Sequence, residues 1–323
     1  MAIKVAIKPL NRLSHKILET NQSEVKEFLL LGFQNLQIIN ILVFILFLVI
    51  YVLTLVGNLL IIMLVAKVQS LNTPMYFFLT QLSLSDILLT TNITPNMLHV
   101  TIKKGSTISV TGCIAQFYFY GVSATSECLL LTAMSYDRYL AICRPLHYSS
   151  IMSLRLRLQL VLCSWTLALL VTLFLVFLIR NLKFCGPHII DHYFCDLAPL
   201  LELSCSEHTM VELADLILAV PFALAPFFFI LFTYVSIFIT IFGISSNIGK
   251  QKAFSTCSSH LIVVCTYYGT LITVYMAPSK GQSLNINKVI SLLYTMGTPA
   301  LNPIIYSLRN QDIRTALVKY ISS

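Results

Sequence analysis

The run Met134-Ser135-Tyr136-Asp137-Arg138-Tyr139-Leu140-Ala141-Ile142-Cys143 closes a long apolar stretch that begins near Cys113. A guanidinium stays charged in a protein, and arginine at a bilayer centre would cost roughly 2.5–3.5 kcal/mol. Arg138 therefore belongs at a membrane edge, paired with its neighbour Asp137. An ion pair in that place suits a latch, closed in one state and released in another.

Working outward from this run, seven apolar stretches appear, at approximately 38–66, 75–99, 109–141, 158–179, 212–243, 255–277 and 288–307. Each approaches or exceeds the ~20 residues that a membrane-spanning helix requires. Of the 323 residues, 57% are hydrophobic and 11% charged, against about 25% charged in soluble domains. The composition excludes a soluble fold. The runs are continuous and rich in Leu, Ile and Phe, unlike the short alternating segments of a barrel. The expected fold is an all-α membrane protein, a seven-transmembrane helix bundle.

Seven spans place the termini on opposite sides. With the N-terminus outside, Lys67, Arg138, Arg144, Arg155, Arg157, Lys250, Lys252, Arg309, Arg314 and Lys319 fall inside, a weak positive-inside bias. Nearly all the acids fall outside, so the net charge of +8 concentrates on the inner face, toward anionic lipid or an acidic partner. The expected organisation is an extracellular tail at 1–37, the bundle at 38–307, and a cytoplasmic helix and tail at 308–323. In that last segment Ile313, Ala316, Leu317 and Tyr320 recur at helical spacing, which predicts a short amphipathic helix on the inner membrane surface.

Residues 1–20 are basic and read as a disordered extension or an upstream alternative start, with the first helix acting as its own insertion signal. Asn21-Gln22-Ser23 is a glycosylation sequon suited to an external tail. The longest connection, about 180–211, carries Cys185, Cys195 and Cys205, and Cys113 opens the third helix on the same side. Four external cysteines allow three pairings, and an oxidising exterior favours disulfides. A tethered loop would form a lid over the bundle. His192 near Cys195 has no second His/Cys pair at metal-site spacing, so a zinc centre has no support.

Ionisable residues inside a membrane are candidates for function. Asp86 in the second helix and Glu127 in the third are two, with Asn58, Ser83 and Asn302 offering oxygens at comparable depth. Two nearby carboxylates cannot both stay charged without a cation or a shared proton. A sodium site and a partly protonated polar knot both satisfy that condition. Pro303, in Asn302-Pro303-Ile304-Ile305-Tyr306, removes a backbone donor and breaks the seventh helix.

Together these residues resemble a rhodopsin-like G-protein-coupled receptor, and more narrowly an odorant (olfactory) receptor. The likeness runs through Glu27-Phe28-Leu29-Leu30-Leu31-Gly32-Phe33, Gly57-Asn58, Pro74-Met75-Tyr76-Phe77-Phe78-Leu79, Leu82-Ser83 with Asp86, the opening run, Lys252 through Leu261, and Pro299 through Asn310. Asn72, Ser135 and Ala300 depart from the family's usual histidine, alanine and methionine. The resemblance implies disulfides Cys113–Cys195 and Cys185–Cys205. It implies a stimulatory, olfactory-type G protein, cyclic AMP signalling, trafficking chaperones as further partners, and a plasma-membrane location. Nucleic acid is not an expected partner.

On the family pattern, Asp137, Arg138 and Tyr139 form the switch that meets the G protein. Lys250, Lys252 and His260 border the cavity opened by sixth-helix movement, and Tyr234, Asn302, Pro303 and Tyr306 complete the machinery. The third helix offers Tyr120, Gly121, Ala124, Thr125 and Cys128 on one face. Leu218, Phe222, Tyr268, Leu271, Ile272, Tyr275, Leu292 and Thr295 face them by family analogy, with Tyr268 expected to sense the ligand. Such a chamber is largely apolar with a few hydroxyls and suits a small volatile molecule. No acid on that face argues against an amine, and Thr295 and Met296 cannot form a retinal Schiff base. Lys288 is expected to reach solvent. A transporter would show paired broken helices in its two halves, and a membrane enzyme would need a nucleophile or metal-ligating histidines beside Asp86 and Glu127. A receptor of the same fold working outside the nose, on a metabolite or peptide, is not separable by sequence.

Overall fold

A computed structural model describes residues 25–33, 40–185, 188–276 and 284–321. Seven long helical segments form a bundle: α1 (Asn40–Lys67), α2 (Pro74–Lys103), α3 (Val110–Cys143), α4 (Leu154–Arg180), α5 (Thr209–Gly243), α6 (Asn247–Met276) and α7 (284–309). An eighth, α8 (Gln311–Ile321), follows. The expected spans are all present, but most of the helices run further than hydropathy alone indicates. The sixth begins at Asn247 rather than near 255, because Asn247 to Phe254 are too polar to count as lipid-spanning yet continue the same helical ladder.

Among the described residues, α1, α4 and α5 are long and apolar enough to cross a bilayer by composition alone. The other spans carry polar groups on inward faces, including Asp86 on α2, Glu127 on α3, His260 on α6 and Asn302 on α7, all buried. On α1 the buried positions are Phe47, Thr54, Asn58, Ile61 and Leu64, one stripe of the helix. Large apolar side chains such as Leu53, Phe232 and Phe242 instead point outward. An apolar exterior around a polar interior is the arrangement lipid rewards.

Helix ends follow local chemistry. Ser109 Oγ accepts from Gly112 N at 3.0 Å and caps α3. Pro74 begins α2, where a missing N–H costs nothing. Asn310 Oδ1 accepts from the N–H groups of Asp312 and Ile313, starting α8, whose Ile313 and Ala316 are buried against the bundle. Tyr320 receives Lys67 Nζ at 3.3 Å, which fastens α8 to the end of α1. Two π turns interrupt the spans, Val220–Leu224 in α5 and Leu293–Gly297 in α7, each within a few residues of prolines (Pro221 and Pro226, then Pro299) that supply no backbone donor.

One feature was not expected from the sequence. Residues before α1 are not simply a tail: β1 (Glu27–Leu30) pairs antiparallel with β2 (Ser106–Ser109) and parallel with β3 (Ile189–Ile190). Phe28 and Leu30 turn inward onto Val100, Cys113, Ile190, Cys195 and Leu200. Asn21 lies outside the described residues.

Candidate functional site

The disulfide Cys113–Cys195 ties the start of α3 to the loop after β3, and Cys185–Cys205 closes that loop on itself, with Cα separations of 5.4 and 5.9 Å. Cys195 N also donates to Gln116 Oε1 at 2.9 Å, a second tether to α3. These restraints drive His192, Tyr193 and Phe194 into the bundle, where all three are buried. Tyr193 Oη lies 3.0 Å from Thr295 Oγ1, and its ring stacks on Phe33. Phe194 meets Tyr120 edge-on at 5.3 Å, and Tyr120 meets Tyr294 at 5.5 Å. Burial, reinforced by the Lys288 charge, holds the His192 imidazole neutral, with its pKa lowered to about 3. Burial also pushes the Asp196 carboxyl up to about 6.

Deeper in the bundle, α3 meets α6. Tyr267 Oη donates to the Ala124 carbonyl at 2.9 Å and lies 3.1 Å from Cys128 Sγ. Tyr268 packs on Phe227 of α5 at 5.2 Å, and its ring also meets Tyr267 edge-on at 5.3 Å. Tyr120 and Thr295 thus meet the loop residues Phe194 and Tyr193, while Ala124, Cys128 and Tyr268 lie deeper, where α3 meets α6. Thr125 is half-buried on the same helix, and Leu292 packs in the aromatic cluster with Tyr120. Leu218 and Leu271 sit in neighbouring clusters, Phe222 is half-buried in the α5 π turn, and Ile272 is 47% exposed. The side chain of Tyr275 lies outside the described residues.

Gly121 has a packing role between two helices. A Cβ there would stand 2.7 Å from Thr172 Cγ2, so α3 and α4 pack closely at this position. Tyr267 and Tyr294 were missed. Adjacent tyrosines differ by about 100° around a helix, and hydropathy could not say which of Tyr267 and Tyr268 would reach α3. Lys288 is the clearest correction: it is 1% exposed, not solvated, and pairs with Asp191. Its neighbours come from loops whose course was not legible in the local pattern.

At the opposite end, Arg138 Nη2 lies 2.6 Å and Nε 3.1 Å from Asp137 Oδ2. Tyr148, in a short turn after α3, donates to Asp137 Oδ1 at 2.8 Å, so both carboxylate oxygens are engaged. Burial, with the Asp137 charge beside it, raises the Tyr148 phenol above its ordinary range. Tyr139 is half-buried against the same core. Tyr234 Oη and His260 Nδ1 are 2.6 Å apart, joining α5 to α6. Tyr306 is fully buried, and its hydroxyl has no hydrogen-bond partner among the described residues. Lys252 lies on α6, and its side chain is outside the described residues.

Between the two ends, Asn302 Nδ2 lies 3.1 and 3.0 Å from the two oxygens of Asp86. Glu127 Oε1 and Asn58 Oδ1 are buried acceptors without a donor among the described residues. The Asp86 and Glu127 side chains are both buried, on α2 and α3. Pro303 meets Gly57 so closely that a Cβ on Gly57 would stand 2.9 Å away.

A seven-helix bundle with a buried aromatic cluster under the disulfide-tied loop at one end and an acid–arginine pair at the other is the architecture of a seven-helix receptor. The crystal structure of squid rhodopsin superposes with a TM-score of 0.69, covering 85% of this chain and 83% of its own at 16% identity. The Olfactory receptor family model matches residues 47–323. Human Olfactory receptor 11A1 is 44% identical over 306 residues, 95% of this chain and 97% of its own. Human Olfactory receptor 10A7 is 45% identical, covering 94% and 96%, and mouse Olfactory receptor 1M1 is 44% identical with the same coverage. The chain belongs to the olfactory receptor family. It is a receptor and not an enzyme.

Proposed function

We propose that this receptor binds a small, mostly apolar volatile molecule in the chamber around Tyr120, Cys128, Tyr268 and Thr295. Binding activates a stimulatory, olfactory-type G protein and raises cyclic AMP. The observation that carries this reading is that α3 and α6 run from the chamber to the switch. Tyr267 joins them at Ala124 and Cys128, and α6 reaches on to His260, held by Tyr234 beside the Arg138 end. Displacing α6 at the chamber loads the Tyr234–His260 contact.

On this reading the receptor lies in the plasma membrane, with the disulfide end and residues 1–37 outside and residues 308–323 inside. Asp86 and Glu127, with Asn58, Ser83 and Asn302, would hold a sodium ion or a shared proton, whose charge would let both carboxyls stay buried. A panel of volatile compounds in a cyclic AMP reporter assay tests the function. An agonist should raise cyclic AMP through the native chain and not through Arg138→Ala delivered equally to the surface. Normal signalling by that variant would refute the switch role. Asp86→Asn with Glu127→Gln should remove any sodium dependence of activation, and an unchanged dependence would favour the shared proton.

A further inference from the structure

Lys288 Nζ lies 2.5 Å from Asp191 Oδ1 and 2.8 Å from the Gly32 carbonyl oxygen. The three groups come from α7, the loop after β3 and the segment before α1. Gly32 completes the junction by donating its N–H to the His192 carbonyl at 3.1 Å. Its φ is +61°, and a Cβ there would fall 2.6 Å from Val100 Cγ1, so only glycine fits this turn. A buried ammonium persists only when paired and hydrogen-bonded. Here it has one carboxylate and one carbonyl.

The placement of Asp191 matters. His192, Tyr193 and Phe194 follow it directly and fill the top of the chamber, and Cys195 then anchors to Cys113. The segment is therefore fixed covalently at one end and by an ion pair at the other. The partners are unequal: the side chain of Lys288 is 2% exposed and that of Asp191 is 31%. Asp191 can leave into water, whereas Lys288 cannot. The weaker fixing is on the loop side.

We propose that Lys288 is a positioning residue for ligand entry, its ion pair with Asp191 seating His192-Tyr193-Phe194 over the chamber and limiting access to Cys128. The inference rests on the chamber being the ligand site, but its test needs neither an agonist nor a G protein. The native Cys128 thiol, about two helical turns along α3 from the Tyr120 that Phe194 touches, is the reporter. In a background with the exposed Cys163 and Cys265 changed to serine, intact cells are treated with a trimethylammonium-ethyl methanethiosulfonate reagent that does not cross lipid. Modification of Cys128 is then followed by mass spectrometry.

Lys288→Met and Asp191→Asn should each speed modification about tenfold, and Asp191→Glu should stay within about twofold of the parent. A purely structural role would reduce the amount at the surface without moving the rate per molecule. Unchanged rates in both neutral variants would overturn the proposal, as would an Asp191→Glu rate equal to that of Asp191→Asn. If Lys288→Met does not reach the surface, the Asp191 pair decides alone. A rate difference in a receptor that answers no volatile compound would uphold the clasp and place the failure on the functional reading.

Discussion

Changing Gly121 to alanine separates packing from ligand contact. The added Cβ would lie 2.7 Å from Thr172 Cγ2, 3.2 Å from Thr172 Oγ1 and 3.6 Å from Thr172 Cβ. Carbon atoms pack comfortably at about 3.5–4.0 Å, so α3 and α4 must part by something under 1 Å or Thr172 must rotate. Thr172 is buried and β-branched, with a stiff χ1. Overpacking of this kind costs about 1–3 kcal/mol. Alanine in place of glycine returns about 1 kcal/mol of helix propensity. The single variant should therefore lose up to about 2 kcal/mol.

Thr172→Ala deletes both close atoms and leaves the 3.6 Å contact. In that background Gly121→Ala should be neutral or stabilising, a coupling of about 1–3 kcal/mol. Thermal unfolding of the solubilised receptor reads this directly, at about 2–4 °C per kcal/mol for chains of 150–250 residues and somewhat less for this longer one. An equal loss in both backgrounds would refute the α3–α4 contact. A Gly121→Ala receptor of native stability with an altered agonist response would place Gly121 in the chamber instead.

Tyr148→Phe frees Asp137 Oδ1, and agonist-free cyclic AMP should rise about fivefold, the worth of ~1 kcal/mol for a partly exposed hydrogen bond to a charged group; an unchanged basal level would count against the tether. Gly32→Ala should destabilise by about 2–3 kcal/mol, combining αL strain with the Val100 clash, and Val100→Ala should recover the clash portion in a melting assay. His192 has a folded pKa of about 3 against an ordinary 6.5, so its contribution is complete above pH 6.5 and is lost as pH falls toward 3. His192→Asn should extend stability to lower pH. Asp196, raised from 3.8 to about 6, acts the other way, its contribution being lost as pH rises through 6. Asp196→Asn should gain relative stability at neutral pH, and melting curves between pH 4 and 8 check both variants.

The spans were legible because lipid demands long apolar runs, and the breaks because proline lacks a donor. Asp86 and Asn302 stood out for the same reason, as polar groups in apolar surroundings, and they do meet. The sheet did not stand out. Glu27–Leu30 is four residues long, too short for a reliable alternation, and its partners lie some 80 and 160 positions away. Lys288 was misread because charge near a helix end ordinarily means solvent. Only the folded loop supplies Asp191. Tyr148 carried no signal at all, since its role depends on a turn returning it to Asp137. Polar groups in apolar runs and paired cysteines were readable, and the sheet, the Lys288–Asp191 pair and the Tyr148–Asp137 bond were not.

The π turn at Leu293–Gly297 lies between Lys288 and the Asn302–Tyr306 segment of the same helix. A π turn holds one residue more than the α ladder around it. If it tightened to α geometry while the Lys288 end stayed clasped, everything beyond would swing about 100°, the angle of one residue. Asn302 would leave Asp86, and Tyr306 would leave its buried face. The π turn thus sets the rotational phase between the two ends of the seventh helix, and the meeting of Asn302 with Asp86 depends on its extra residue.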